Sequence, residues 1–338
     1  MSERILVLGG THHVGRAVVE EALRRGHAVT TVNRGQSGTP AAGAEARHAD
    51  RTDVAALTAA LGDDTWDAVV DTWSFAPSAV QASARALSGR VGHYTYISSR
   101  SVYTWPIPHG VDESAPVVDG APDADVTDYA ADKRGGELAA EEFGGDLLIA
   151  RAGLILGPYE RVGRLPWWFR RISQAAQGSR VPAPGPYDRP LQYIDARDLA
   201  AFALDRPVGV YDTVSRPGHT TIGLLLDEVV RVSGAGAELV WLSPETIEEA
   251  GVSGWTELPI WVPPKGELSS LHDSDTTKAH DAGLRCRPMP ETVGDTWAWL
   301  QAEGYPVGSA RAGTGLDAEG EARLWAAAET RGELASER

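Results

Sequence analysis

Short apolar runs alternate with helical patterns through the first half of the chain. Ile5-Leu6-Val7-Leu8 is continuous and apolar and ends at Gly9-Gly10, as a strand covered on both faces would. Val14, Val18, Val19, Ala22 and Leu23 then recur at helical spacing as far as Gly26, a C-terminal stop. The same reading predicts strands over 28–32, 67–71, 94–97 and 146–150, and helices over about 53–61, 77–88 and 128–143. Strands alternating with helices imply βαβ units, a parallel sheet and right-handed crossovers. The expected fold class is α/β, a Rossmann-type doubly wound parallel sheet.

After about residue 158 the pattern loosens. Pro- and Gly-rich loops cover 181–187 and Pro259 to Gly266. Between and beyond them the periodicity predicts a helix near 166–177, a short strand and helix near 191–204, a helix near 221–233 and an amphipathic helix over about 317–331. The expected division is a dinucleotide-binding domain over 1–158, joined again by about 189–205. A smaller C-terminal substrate-binding lobe with a final helix fills most of 159–338.

Composition narrows the partners. No apolar run in the 338 residues approaches the roughly 18 needed to span a bilayer, so no membrane partner is expected. The N-terminus enters a strand directly and lacks the marks of a signal peptide, so a cytoplasmic location is expected. Cys286 is the only cysteine, which excludes an internal disulfide and a thiolate metal cluster. The nine histidines show no metal-ligand spacing, so no metal is expected. A net charge of −16 repels phosphate backbones and argues against nucleic acid as a partner.

The chemistry begins at the turn Gly9-Gly10-Thr11-His12-His13-Val14-Gly15, between the first strand and the first helix. That context suits a dinucleotide: glycines let the backbone approach a pyrophosphate, and the helix N-terminus offers free N–H groups. His12 stands where the extended glycine pattern has its central glycine. Its imidazole either replaces the lost contact by hydrogen bonding to phosphate or ribose, or points to solvent. The second strand ends at Asn33-Arg34, with no carboxylate for an adenosine ribose. Arg34 can pair with a 2′-phosphate, which favours NADP(H); stacked on the adenine instead, it leaves NAD acceptable. Asp50 and Arg51 are expected to flank the adenine, and Asp71, Thr72 and Trp73 to lie near the cofactor's middle.

Tyr129 and Lys133 are four residues apart in an expected helix and so share a face. A phenol is a poor base near neutral pH, and a neighbouring ammonium lowers its pKa. Upstream, Ser98-Ser99-Arg100-Ser101-Val102-Tyr103 follows the expected strand at 94–97, at the edge where doubly wound folds bind ligands.

Taken together these segments resemble the extended short-chain dehydrogenase/reductases, the NAD-dependent epimerase/dehydratase family. The likeness runs in family order through Gly9 to Gly15, Ser98 to Tyr103, Tyr129 with Lys133, Arg151 to Pro158, Tyr193 to Leu199 and Asp295 to Trp299, covering about 3–302. The His12 variant resembles an atypical branch of diverse function. By this resemblance Ser99, Tyr129 and Lys133 are the catalytic residues, and Ser98, Tyr129 and Lys133 also touch the cofactor. Arg100, Ser101, Trp105 and Trp168 are candidate substrate contacts. Pairing through the helices at 77–88 and 128–143 would give a homodimer.

The expected function is hydride transfer on a secondary alcohol or ketone of a sugar-like, nucleoside or hydroxylated specialised metabolite, as an oxidoreductase or epimerase. A self-recycling dehydratase is an alternative. Against it, Arg100-Ser101 stands where the family's sugar dehydratases carry Asp-Glu. In nucleotide-sugar relatives an arginine precedes the Tyr-Ile motif by two places; here that place is Leu191, and the nearest arginine is Arg189. A reading of another class, a non-catalytic dinucleotide sensor or RNA-binding protein, rests on the His12 branch.

Overall fold

The computed structural model describes residues 2–36, 38, 40–303 and 314–334. Strands β1 (Arg4–Leu8), β2 (Ala28–Asn33), β3 (Glu45–His48), β4 (Trp66–Asp71), β5 (Val91–Ser99) and β6 (Asp146–Ala152) form one parallel sheet with an edge strand at Gly209–Thr213. From that edge the order is β6-β5-β4-β1-β2-β3. The order reverses beside β1, and the carboxyl ends of β1 and its neighbours open the crevice where such sheets bind ligands.

Side chains alternate across β1 as the strand period requires. Ile5 and Val7 join the core under α1 (His13–Arg24) and α6 (Ala196–Asp205), with Val18, Leu148 and Phe202. Leu6 and Leu8 face the other side, under α2 (Val54–Leu61), α3 (Pro77–Leu87) and α4 (Tyr129–Glu141), with Val80, Leu87 and Tyr96. Burial on both faces is why these strands read as continuous apolar runs. β3, Glu-Ala-Arg-His, has no such run because it is a largely exposed edge strand.

The C-terminal lobe has its own core. Trp168 and Phe169 of α5 (Arg164–Ser173) pack with Leu225 and Val229 of α7 (Ile222–Ser233), and with Leu300 and Leu324 of the helices Met289–Glu303 and Ala318–Thr330. After α6 the chain adds the edge strand Gly209–Thr213 to the main sheet, pairing with β6 beyond residue 205. No described helix is long and apolar enough to cross a membrane.

Candidate active site

The turn after β1 opens on a cavity of about 300 Å³. All seven residues Gly9 to Gly15 line it, with Asn33, Arg34, Arg51, Thr72 and Trp73, and none of the described residues that line it is acidic. The glycines are needed by geometry. Gly10 has φ +101°, and a Cβ there would stand 2.9 Å from the Thr31 methyl. Gly9 has φ +129°, and its Cβ would fall 2.4 Å from Thr72 Oγ1. The backbone thus leaves a close-approach cradle that suits a pyrophosphate at the start of α1.

His12 is tolerated because its backbone is extended, φ −130° and ψ 146°. The unusual conformation falls on His13 instead, with φ +34°, uncommon for any side chain. His13 Nε2 lies 3.4 Å from the Leu156 carbonyl, and burial holds its pKa down to about 4. His12 Nδ1 is buried without a hydrogen-bond partner among the described residues. Burial, then the charge of Arg161, holds its pKa below the ordinary value. A neutral imidazole on the cavity wall with an unused nitrogen suits a polar ligand better than open solvent.

Asn33 braces the turn: its amide donates to the Gly9 carbonyl (3.3 Å), and its oxygen accepts from Gly35 N–H (2.8 Å). Arg34 is exposed at the rim. Arg51 and Asp71 were expected beside the cofactor, but they form a buried pair in the floor. Both guanidinium nitrogens donate to the carboxylate at 2.6 Å, and Tyr94 Oη donates to it at 2.6 Å. Asp71 is fully buried and does not line the cavity; Arg51 does, with its guanidinium 5.1 Å from the Trp73 ring. Asp50 is outside the lining as well, exposed and bonded to Thr52.

Tyr129 and Lys133 stand in the first turn and a half of α4, capped by Asp128, whose carboxylate accepts from the Ala130 and Ala131 N–H groups. Gly136 lets this helix lie against β5: a Cβ there would meet Tyr96 Oη at 2.2 Å. That approach drops the Lys133 ammonium onto two main-chain carbonyls, Trp73 O at 2.6 Å and Ile97 O at 2.7 Å, above the Tyr96 ring at 4.9 Å. Burial pushes the Lys133 pKa down to about 7, against the raising effect of Asp71 and Glu137. Tyr129 remains exposed; Tyr129, Lys133 and Ser99 do not line the glycine-turn cavity, and Lys133 is joined to it through the carbonyl of Trp73, which does. Ser99 ends β5 and accepts the Ser101 N–H at 3.1 Å while its hydroxyl donates to Ser101 Oγ. Ser98 turns the other way, and its hydroxyl donates to buried Glu137 at 2.7 Å, so it is not presented to the cavity.

Two expected substrate contacts need correction. Trp168 is wholly buried in the lobe core, its indole N–H donating to Pro259 O at 2.8 Å, and has no surface to offer. Arg100 is likewise buried. It pairs with Asp212 at 3.3 Å and donates to Leu271 O at 2.7 Å. Packing and charge pairing claim both side chains. Ser101 and Trp105 stay partly exposed. In the following loop, His109 pairs with Asp273, Asp112 accepts from Ser114 N–H, and Glu113 accepts from Asp212 N–H, so all three hold the loop. The Glu137–Arg151 pair behind Ser98 was not anticipated, although Glu137 lies four residues after Lys133 on the same helix face.

The profile of the NAD dependent epimerase/dehydratase family matches residues 5–207. No curated protein sequence matches the chain. Among solved structures, the Bordetella bronchiseptica enzyme WbmH in complex with NAD+ is similar, with 20% identity and a TM-score of 0.65, over 90% of this chain and 100% of that one. A putative epimerase from Burkholderia cenocepacia J2315 has 21% identity and a TM-score of 0.65, over 89% and 99%. UDP-glucose 4-epimerase from Thermotoga maritima has 16% identity and a TM-score of 0.64, over 88% and 99%. At these identities the structures establish the shared fold. The family profile covers more than half of the chain, and the chain therefore belongs to the NAD-dependent epimerase/dehydratase family, enzymes of the extended short-chain dehydrogenase/reductase type.

Proposed function

We propose that this enzyme oxidises a secondary alcohol, or reduces its ketone, with NADP(H). The observation that carries this reading is the pairing of Tyr129 and Lys133 on α4 beside a glycine-cradled cavity with no acidic lining residue. A nicotinamide bound there supplies the hydride acceptor or donor. In the oxidation direction Tyr129 Oη takes the proton of the substrate hydroxyl, and in reduction it returns that proton. Ser99 Oγ holds the substrate oxygen. Lys133 keeps positive charge near the phenol, and two of its three N–H groups are held by carbonyls, leaving one for a cofactor ribose.

The cofactor preference rests on charge. NAD selectivity in such sheets uses a carboxylate at the end of β2. Here that place is Asn33, already engaged with Gly35, and exposed Arg34 is suited to a 2′-phosphate. A nucleotide-diphospho-sugar substrate is disfavoured. Leu191 is buried, and Arg189 spends its guanidinium on the carbonyls of Val262, Pro263 and Ser269. A sugar-like, nucleoside or hydroxylated specialised metabolite without a diphosphate fits better. Elimination lacks its acid–base pair, since Arg100 is tied to Asp212. We place the enzyme in the cytoplasm, as a homodimer through α3 and α4.

The test is to denature purified protein and identify released dinucleotide by mass spectrometry, then titrate emptied protein with NADPH and NADH. Tighter binding of NADPH supports an exchanging reductase. Stoichiometric NAD+ would favour a self-recycling epimerase or dehydratase and overturn the NADP(H) preference. Binding of neither would overturn the catalytic reading and promote a non-catalytic or RNA-binding role.

A further inference from the structure

Lys133 is held from an unexpected direction. Its ammonium donates to the carbonyl of Trp73 at 2.6 Å, and the N–H of the same residue donates to Asp71 Oδ1 at 2.9 Å. Asp71 in turn is fixed by both arms of Arg51 and by Tyr94. Arg51 also donates to Ser83 on α3 at 2.7 Å and lines the dinucleotide cavity. A continuous set of short hydrogen bonds therefore runs from the cavity floor, through the backbone of one residue, Trp73, to Lys133.

The two links have different chemistry. The residue after a strand is ordinarily free to settle with its loop. Here a fully buried carboxylate fixes the N–H of Trp73, and the carbonyl of the same residue, one peptide plane on, accepts from the ammonium. A second carbonyl, Ile97 O on β5, fixes the ammonium from the other side. Removing a buried charge from water is expensive, so a lysine in this position keeps its proton only if negative charge stands near. Arg51 offsets part of the Asp71 charge and itself holds the Lys133 pKa down, but Asp71 is the largest of the charges that raise it. Glu137 and Asp132 face Lys133 from its own helix, and Tyr96 and Tyr129 complete the ionisable groups around it.

We infer that Asp71 is a positioning residue for catalysis: through the backbone of Trp73 and through its charge it keeps Lys133 aimed and protonated, and Arg51 makes this support part of the dinucleotide-binding floor. The inference rests on the proposed role of Lys133. Asp71 touches neither the cavity nor the reacting atoms, so it acts only through Lys133. The proposed function assigns it nothing.

The chain has only three lysines, Lys133, Lys265 and Lys278, which makes a direct measurement practical. Whole protein carrying 13Cε-lysine is titrated by NMR, with the Lys133 signal assigned by its loss in Lys133→Met. In wild type the Lys133 midpoint should lie well below the ordinary lysine value. In Asp71→Asn it should fall further, by about one pH unit. Asp71→Asn leaves Arg51 buried and unpaired, so the Arg51→Gln/Asp71→Asn double variant, with neutral amides in place of the ion pair, is measured alongside it. A smaller shift in the same direction is expected there. NADPH affinity, followed against pH, should decline at correspondingly lower pH in both variants. A Lys133 midpoint unchanged in whichever variant folds would overturn the inference. So would a uniform loss of NADPH affinity at every pH, the mark of a merely structural role. Failure of wild type to bind NADPH or NADH would instead strike the proposed function, leaving the Lys133 titration to judge the Asp71 link.

Discussion

Arg151 closes a two-armed ion pair on Glu137, Nε to Oε1 at 2.8 Å and Nη2 to Oε2 at 2.9 Å, with both side chains buried. Glu137 also accepts from Ser98 at 2.7 Å. The pair thus ties the middle of α4 to the carboxyl ends of β5 and β6, and Lys133 and Ser99 lie on either side of that tie. Removing one partner leaves a buried charge uncompensated, which costs far more than the pair itself contributes. Arg151→Met should lose about 3–5 kcal/mol of stability in urea unfolding. A loss under about 1 kcal/mol would mean that the pair behaves as an exposed one.

The glycine turn gives a second outcome. Alanine at Gly10 would need φ near +101° and would press its methyl on Thr31 and Val19, at 2.9 and 3.2 Å. Gly10→Ala should therefore weaken NADPH binding by about tenfold or more and cost roughly 1–3 kcal/mol. Fluorescence titration of NADPH and thermal unfolding read the two effects. Unchanged NADPH affinity in a folded variant would separate the turn from the cofactor.

Much of this region was legible because its physics is local. A buried strand declares itself by a continuous apolar run, and Tyr129 and Lys133 by helical spacing in a helix capped by Asp128. The partners of those residues were not legible. Arg51 and Asp71 are 20 residues apart, and Glu137 and Arg151 are 14 apart, brought together only when the strands align. Trp168 was open to both roles from its sequence: aromatic character suits a substrate and a core, and only burial separates them, here in favour of the core. The helix Met289–Glu303 escaped because its weak apolar stripe is interrupted by Gly294 and preceded by two prolines flanking Met289.

Cofactor choice should follow Arg34. The side chain is exposed at the cavity rim, so Arg34→Ala should leave folding within about 0.5 kcal/mol of wild type. A charge-assisted bond to a 2′-phosphate is worth about 1.5–3 kcal/mol, so NADPH should bind roughly tenfold or more weakly. NADH, which lacks that phosphate, should change little. Equal weakening of both dinucleotides would assign Arg34 to adenine stacking instead.

Tyr129 is exposed, so Tyr129→Phe removes a hydroxyl at little structural cost. NADPH affinity and the unfolding midpoint should stay close to wild type, while turnover of any substrate found by screening alcohols and ketones falls about 100-fold or more. Turnover within threefold of wild type would remove Tyr129 from the proton transfer.

Stability should carry the pH signature of Lys133. In the unfolded chain a lysine titrates near 10.4, whereas burial holds Lys133 down to about 7. Between these values the unfolded chain binds more protons, so this residue's contribution to stability rises with pH. The cost of burying the ammonium is fully present below pH 7 and is gone once the pH passes the unfolded value. Lys133→Met carries no such cost, although it strands the carbonyls of Trp73 and Ile97. Whatever the sign of its overall effect, the variant should compare best with wild type near pH 6 and progressively worse toward pH 10, by a total of roughly a few kcal/mol. Urea unfolding of both proteins at pH 6, 8 and 10 measures the gap. A gap that does not change with pH would mean that Lys133 titrates alike in the folded and unfolded chains, and that the carbonyls and carboxylates around it fully replace the water it gave up.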